Sequence, residues 1–229
     1  MLFVTFATYY ESDMEEQFEH PVYAPVVLEF VTVAREFALW LEGVNEQPRE
    51  RFVGTALKIL PLLYLKASLL PKTEIELEDF LEKHVGEEDY EFIRSSVQLK
   101  MRRFDDYLEV FTADMQRSDL PLTSTISENM ADIYQDIKDF LMSYRTAVTE
   151  IMNDALSELV THFEEYWGQR LVNVLRALHG VYYGGESLEE DPEEEALPDT
   201  DDDLEERKTD HWIIAQRQRD FQGDLPDER

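Results

Sequence analysis

Between Ile126 and Val181 the chain runs 56 residues without a proline and with only two glycines, Gly168 and Gly180. Apolar residues recur every three or four positions along it, the spacing that places side chains on one face of a helix. A single straight helix of that length would span roughly 84 Å, too long for one compact domain. The stretch must therefore break once and fold back. Ser143–Thr149 is the expected break, because it carries three Ser/Thr residues and no large apolar anchor. Helices joined by so short a loop are usually antiparallel neighbours. The fold class that follows is all-α, a bundle of about five or six helices.

The other helices announce themselves less strongly. Pro25–Leu41 begins with a proline at its first position, where no hydrogen bond is lost. Its apolar face is read as Val26, Phe30, Val33, Phe37 and Leu41. A second helix is expected from Pro48 to Leu70, kinked near Leu57–Pro61 because an interior proline lacks an amide donor. Glu76–His84 reads as a short acidic helix, and Glu87–Met115 as a longer one. Thr125 followed by Glu128 fits a capping box at the start of the next helix. The last helix of the body is expected over Ile151–Tyr182, with Phe163, Trp167, Leu171 and Val174 on its stripe. No segment alternates as a strand does, and nothing repeats at a helical-repeat period.

Charge divides the chain into a body and a tail. It holds 51 acidic and 21 basic residues, a formal net charge of −30. Residues 1–183 carry 33 acidic and 16 basic groups, and residues 184–229 carry 18 and 5. A field of this sign repels nucleic acid backbones and anionic membranes, so neither is expected as a partner; an unidentified protein is. Glu186–Glu206 contains 13 acidic residues and no basic one, a run that self-repels and does not fold alone. The reading is a helical domain over 22–183 and a flexible acidic tail from Gly184. Within the tail, His211–Phe221 regains apolar and basic character, and Trp212, Ile213 and Phe221 are its candidate partner-binding residues. The N-terminal arm, residues 1–21, is apolar and then polar, and Met14 offers a second start. Its first ten residues are the longest stretch free of charged side chains, about half a membrane span. With the first basic residue at Arg35, a signal peptide is not expected and a cytoplasmic setting is.

Four stretches carry a family likeness: EFVTVAREF (29–37), ALKILPLLYLKASLLP (56–71), ISENMADIYQDIKDF (126–140) and YWGQRLVNVLRALH (166–179). Together they resemble an uncharacterised bacterial family of all-helical proteins, a domain of unknown function of the 5063 type. The likeness covers Val22 to Tyr183. It implies a helical fold and a bacterial cytoplasmic setting, and supplies no catalytic residues.

No trusted catalytic motif, metal spacing or phosphate loop is present. The chain has no cysteine, which excludes disulfides, thiolate catalysis and thiolate metal sites. Glu128, Asp132, Asp136 and Asp139 share one helix face and use oxygen donors of the kind hard cations prefer. In so acidic a chain this pattern more simply marks a solvated face. Glu158, His162 and Glu165 form a second group. The residue three before each histidine is Gln17, Leu81, Leu159, Arg176 or Lys208, so the Glu-x-x-His motif of di-iron bundles is missing. No metal and no cofactor are expected. The third group is the polar side of the last helix: Tyr166, Gln169, Arg170, Asn173, Arg176 and His179. Its arginines either clamp an anionic ligand or neutralise Asp132, Asp136 and Asp139 on the neighbouring helix; the shortage of basic residues favours the internal network. A non-enzymatic interaction or regulatory module is the leading expectation. A ligand-binding or metal-dependent enzyme using the polar groups between the last two helices is the alternative.

Overall fold

The computed structural model describes residues 20–78, 80–108 and 123–189, and the architecture is all-α. Among these residues the helices are α1 (Pro25–Glu42), α2 (Arg49–Ala67), α3 (Glu87–Met101), α4 (Ile126–Tyr144), α5 (Thr149–His162) and α6 (Gly168–Tyr183). A π-helical turn, Phe163–Trp167, joins α5 to α6 without a break. Helix α4 packs against α3, α5, α6 and α1, and α2 packs against α1 and α6. The core between them is built from Phe30, Phe37, Phe52, Leu60, Ile93, Val97, Met130, Ile137, Leu156, Trp167 and Leu171, all buried.

The fold-back lies at 145–148, inside the expected window. Ala147 closes it with φ at 56°, a left-handed conformation that side chains rarely adopt. Helix α1 is rotated slightly from expectation. Val27, Phe30, Ala34, Phe37, Ala38 and Leu41 are buried, whereas Val26 and Val33 are half-buried. Pro61 sits inside α2 as expected. Thr125 caps α4 by accepting from the Glu128 amide at 3.2 Å.

Two expectations are corrected. The stretch 70–78 and 80–86 forms no helix; it is an extended strap whose amides donate to carboxylates on other elements, described below. The third helix ends at Met101 and does not reach Met115. Arg102 leaves the helical region at φ 48° and ψ −119°, and residues 106–108 pair antiparallel with 123–125 as β1 (Asp106–Leu108) and β2 (Thr123–Thr125). The last part of the expected helix, 109–115, lies outside the described residues. Asp105 locks this hairpin to α4: its carbonyl accepts from the Ile126 amide, and its carboxylate takes the Ser127 amide at 2.8 Å and the Ser127 hydroxyl at 2.6 Å. A carboxylate at a helix N-terminus also meets the positive end of the helix dipole.

Packing continues past Gly184, where the tail was expected to begin. Leu188 is buried, Arg49 donates to the Glu189 carbonyl at 3.5 Å, and Arg103 pairs with Glu186 at 3.9 Å.

The π turn explains Gly168. Its amide bonds the Phe163 carbonyl, and a Cβ there would stand 2.4 Å from that oxygen and 2.9 Å from the Phe163 ring. The glycine therefore accommodates a turn of its own helix, not the approach of another helix. Trp167, on the same turn, is fully buried, and its indole donates to the Leu159 carbonyl at 3.3 Å.

Trp167→Ala should cost about 3–5 kcal/mol, the usual loss for a buried aromatic, in chemical denaturation. Trp40 is half-buried and stacked on Phe52 at 4.8 Å; Trp40→Ala should cost less, and the reverse order would remove Trp167 from its place as the anchor of the seam. Asp105 gives a pH test. Burial raises its carboxyl above the ordinary value, against the lowering effect of the Ser127 bonds. A raised value means its contribution to stability is present at low pH and lost as pH rises through the folded-state pKa. Relative to Asp105→Asn, which does not titrate, the wild type should lose stability over the range that runs upward from the ordinary carboxylate value of 3.8. A difference that stays flat over that range contradicts the assignment.

Candidate functional site

Helix α4 runs antiparallel to α5 and α6, so its polar residues meet theirs in reversed order. Arg170 donates to Asn129 Oδ1 and lies 3.3 Å from Asp132 Oδ2 through Nε. That nitrogen is buried and its N–H is not aimed well enough to bond, so the contact is electrostatic. Asp132 accepts two phenols, Tyr90 at 2.8 Å and Tyr166 at 2.9 Å. The Arg170 guanidinium covers the Tyr166 ring at 4.2 Å from its centroid. Burial, and then the Asp132 carboxylate, push the Tyr166 hydroxyl up to about 12 and raise that of Tyr90 as well. Both phenols therefore remain donors at neutral pH. Asn129 extends the network to Tyr107, Ser124 and the Thr125 carbonyl.

One turn further, Asp136 binds His162 Nδ1 at 2.8 Å, and His162 Nε2 lies 4.0 Å from Glu158. Glu158 pairs with Lys83 of the strap. Burial raises the Asp136 carboxyl, while His162 draws it down. Asp139 turns to the strap and accepts the amides of His84 at 2.8 Å and Val85 at 2.9 Å. The acidic stripe is thus divided among separate tasks, and Glu128 is exposed. Arg176 departs from the expectation of an aspartate partner: it is exposed and donates to the Leu108 carbonyl at 2.7 Å. Gln169, His179 and Glu165 are exposed, and Asn173 is buried. Trp212, Ile213 and Phe221 lie outside the described residues. Among those described, no group of three or more histidine and carboxylate side chains is placed to hold a metal ion.

What the sequence reading missed is the strap and the residues that hold it. Asp154 accepts the amides of Glu76 at 2.7 Å and Leu77 at 2.9 Å. Asn153 donates to the Glu74 carbonyl at 2.6 Å, and Ser157 to the Thr73 carbonyl at 2.9 Å. Asn153 and Asp154 are buried; two consecutive polar residues inside the apolar pattern of α5 were the available signal.

Between strap and helix opens a cleft of about 430 Å³. Ile75, Leu77, Phe80 and Leu81 form its apolar side, and Glu158, Thr161 and His162 lie across from them on α5. Phe80 is 105% exposed and Ile75 70%. A void of about 10 Å³ lies behind, among Lys83, Asp136, Asp139 and His162, room for roughly one water. His162, oriented by the half-buried Asp136, has the posture of a general base. The cleft hydroxyls do not complete a nucleophile: Ser157 and Thr161 donate to the carbonyls of Thr73 and Ser157.

Residues 21–184 match the model of DUF5063, a domain of unknown function. The chain belongs to this family. It is also similar to a solved structure, that of protein BF1032 from Bacteroides fragilis, with 44% identity and a TM-score of 0.66 over 73% of this chain and 99% of that one. No curated protein matches the chain. No helix among the described residues is long and apolar enough to cross a membrane.

Asp154→Ala should free one half of the strap. Loss of two hydrogen bonds to a charged acceptor, each worth about 1.5–3 kcal/mol, should speed amide exchange at Glu76 and Leu77 by at least roughly tenfold. Asp139→Ala should do the same at His84 and Val85 instead. Uniform acceleration across α5 in either variant would show global destabilisation and not a released strap.

Proposed function

We propose that this domain is a non-enzymatic interaction module of a bacterial cytoplasmic protein, and that the cleft beside the strap is where it takes its partner. The observation that carries the reading is the exposure of Ile75 and Phe80 on a strap whose backbone is tied down at 73–77 and again at 84–85. Apolar side chains held out into water by a fixed backbone are a ready contact surface, and a preordered surface loses little entropy when it binds. The partner it fits is a segment of protein with aromatic or aliphatic side chains to fill the cleft and a basic group to meet Glu78 at its edge; Glu158 is already paired with Lys83. The engagement of Ser157 and Thr161 with backbone carbonyls weighs against hydrolysis. The closed tyrosine–arginine–aspartate network around Asp132 weighs against a ligand site between the last two helices.

The test uses the full-length chain and an Ile75→Ser/Phe80→Ser variant as baits in the same native lysate, followed by quantitative mass spectrometry. Both side chains are exposed, so the melting temperature should move by no more than about 2 °C, within the usual range for surface changes. A partner recovered by the wild type and lost by the variant supports the reading. Identical recoveries by two folded baits would place the contact surface elsewhere.

A further inference from the structure

We infer that residues 211–221 of this same chain dock in the cleft and compete there with an outside partner without excluding it. The inference rests on the cleft being a docking site, and three observations name the occupant. The first is chemistry. Trp212 and Phe221 are the sole aromatic residues between Glu190 and Arg229, and Ile213 and Ile214 follow Trp212 directly. This supplies bulky side chains for the apolar wall of Ile75, Leu77 and Phe80, in a cleft whose volume suits a compact ligand.

The second is charge. Arg217 and Arg219 against Asp220 leave the segment at +1 if His211 is neutral, within a chain of net −30. The cleft edge carries Glu78 and Glu158 against one cation, Lys83, and that acidic excess repels the carboxylate-rich remainder of the tail more than this segment. The third is reach. Glu189 is held at the start of α2 by Arg49, the strap begins near the other end of that helix, about 28 Å away by its length, and the cleft lies further along the strap, from Ile75 onward, so the extended reach of the linker is the one that matters. Residues 190–210 form a linker of 21 residues, with an r.m.s. span of about 25 Å if flexible and about 70 Å if fully extended. The linker covers the distance without strain, and its acidic groups favour the extended range.

The absence of cysteine makes the inference directly testable in the full-length chain, since no native thiol competes with two introduced ones. One protein carries Thr161→Cys with Gln216→Cys; a second carries Glu50→Cys with Gln216→Cys. Both Thr161 and Glu50 are exposed. Glu50 adjoins Arg49, beside the origin of the linker, so random collision favours the second pair. Docking should reverse that order, closing the Thr161 pair within one chain at least ~10-fold faster through its higher effective concentration. Trp212→Ser with Ile213→Ser should return the rate to that of the control. Equal rates in the two proteins, or a Thr161 pair that ignores the Trp212 and Ile213 changes, overturns the inference. A disulfide formed mainly between two chains overturns it as well, making the occupant a second copy. If trapping fails while the Ile75/Phe80 variant still loses its lysate partner, self-docking falls and the cleft stands; loss of both signals removes the cleft.

Discussion

A non-helical strap laid on a helical bundle is stable only if its amides find acceptors, because a buried unpaired amide costs as much as a lost hydrogen bond. Asp154 and Asp139 supply those acceptors. Each takes two consecutive amides, an arrangement in which a carboxylate gains charge-assisted bonds and the backbone is fixed at two points. Ser157 and Asn153 bind the carbonyls of Thr73 and Glu74, just ahead of the first amide pair. The position of Ile75 and Phe80, the width of the cleft and the pairing of Lys83 with Glu158 all follow from this attachment.

The same economy runs along α4. A chain with 30 more acidic than basic groups has few cations to spare; Lys138 goes to the buried Glu42, and other buried and half-buried carboxylates turn to phenols, an imidazole, amides and a hydroxyl. Asp132 takes two phenols, Asp136 an imidazole, Asp139 two amides and Asp105 an amide and a hydroxyl. Of these only Asp132 faces an arginine closely, and Arg170 is itself shared with Asn129 and the Tyr166 ring. The π turn contributes to this geometry. An extra residue in the helix shifts the facing of everything after it, so Trp167 enters the core while Tyr166 and Arg170 still look toward α4.

The helices were legible where period and caps agreed. Met130, Ile133, Ile137, Phe140 and Leu141 are the buried face of α4, read directly from their spacing. The fold-back near Tyr144 followed from the limit on helix length. The strap was not legible, because Glu76–His84 has the composition of an acidic helix and its actual hydrogen-bond partners lie about 55 to 78 residues away in sequence. Local propensity carries no information about such acceptors. The end of α3 was missed for a related reason: Asp105 is claimed by Ser127, across the β1–β2 hairpin. At the candidate site, the α4 aspartates and Tyr166–Arg170 were identified as residues, and their partition among separate partners was not. Arg176 illustrates the limit. Its spacing placed it beside the aspartates, yet it projects to the Leu108 carbonyl, because the strand that carries Leu108 is positioned by pairing with β2.

Acidity also shapes how the cleft can be used. Negative potential around an apolar opening disfavours acidic segments and admits basic ones, a discrimination by repulsion as much as by attraction. Such a surface selects without needing a deep pocket or a catalytic group. The strap, fixed at both ends and exposed between, is suited to this role: its backbone is already ordered, so an incoming segment bears its own ordering cost and little of the domain's. That difference favours an occupant tethered to the same chain, for which part of the entropy of encounter has already been lost.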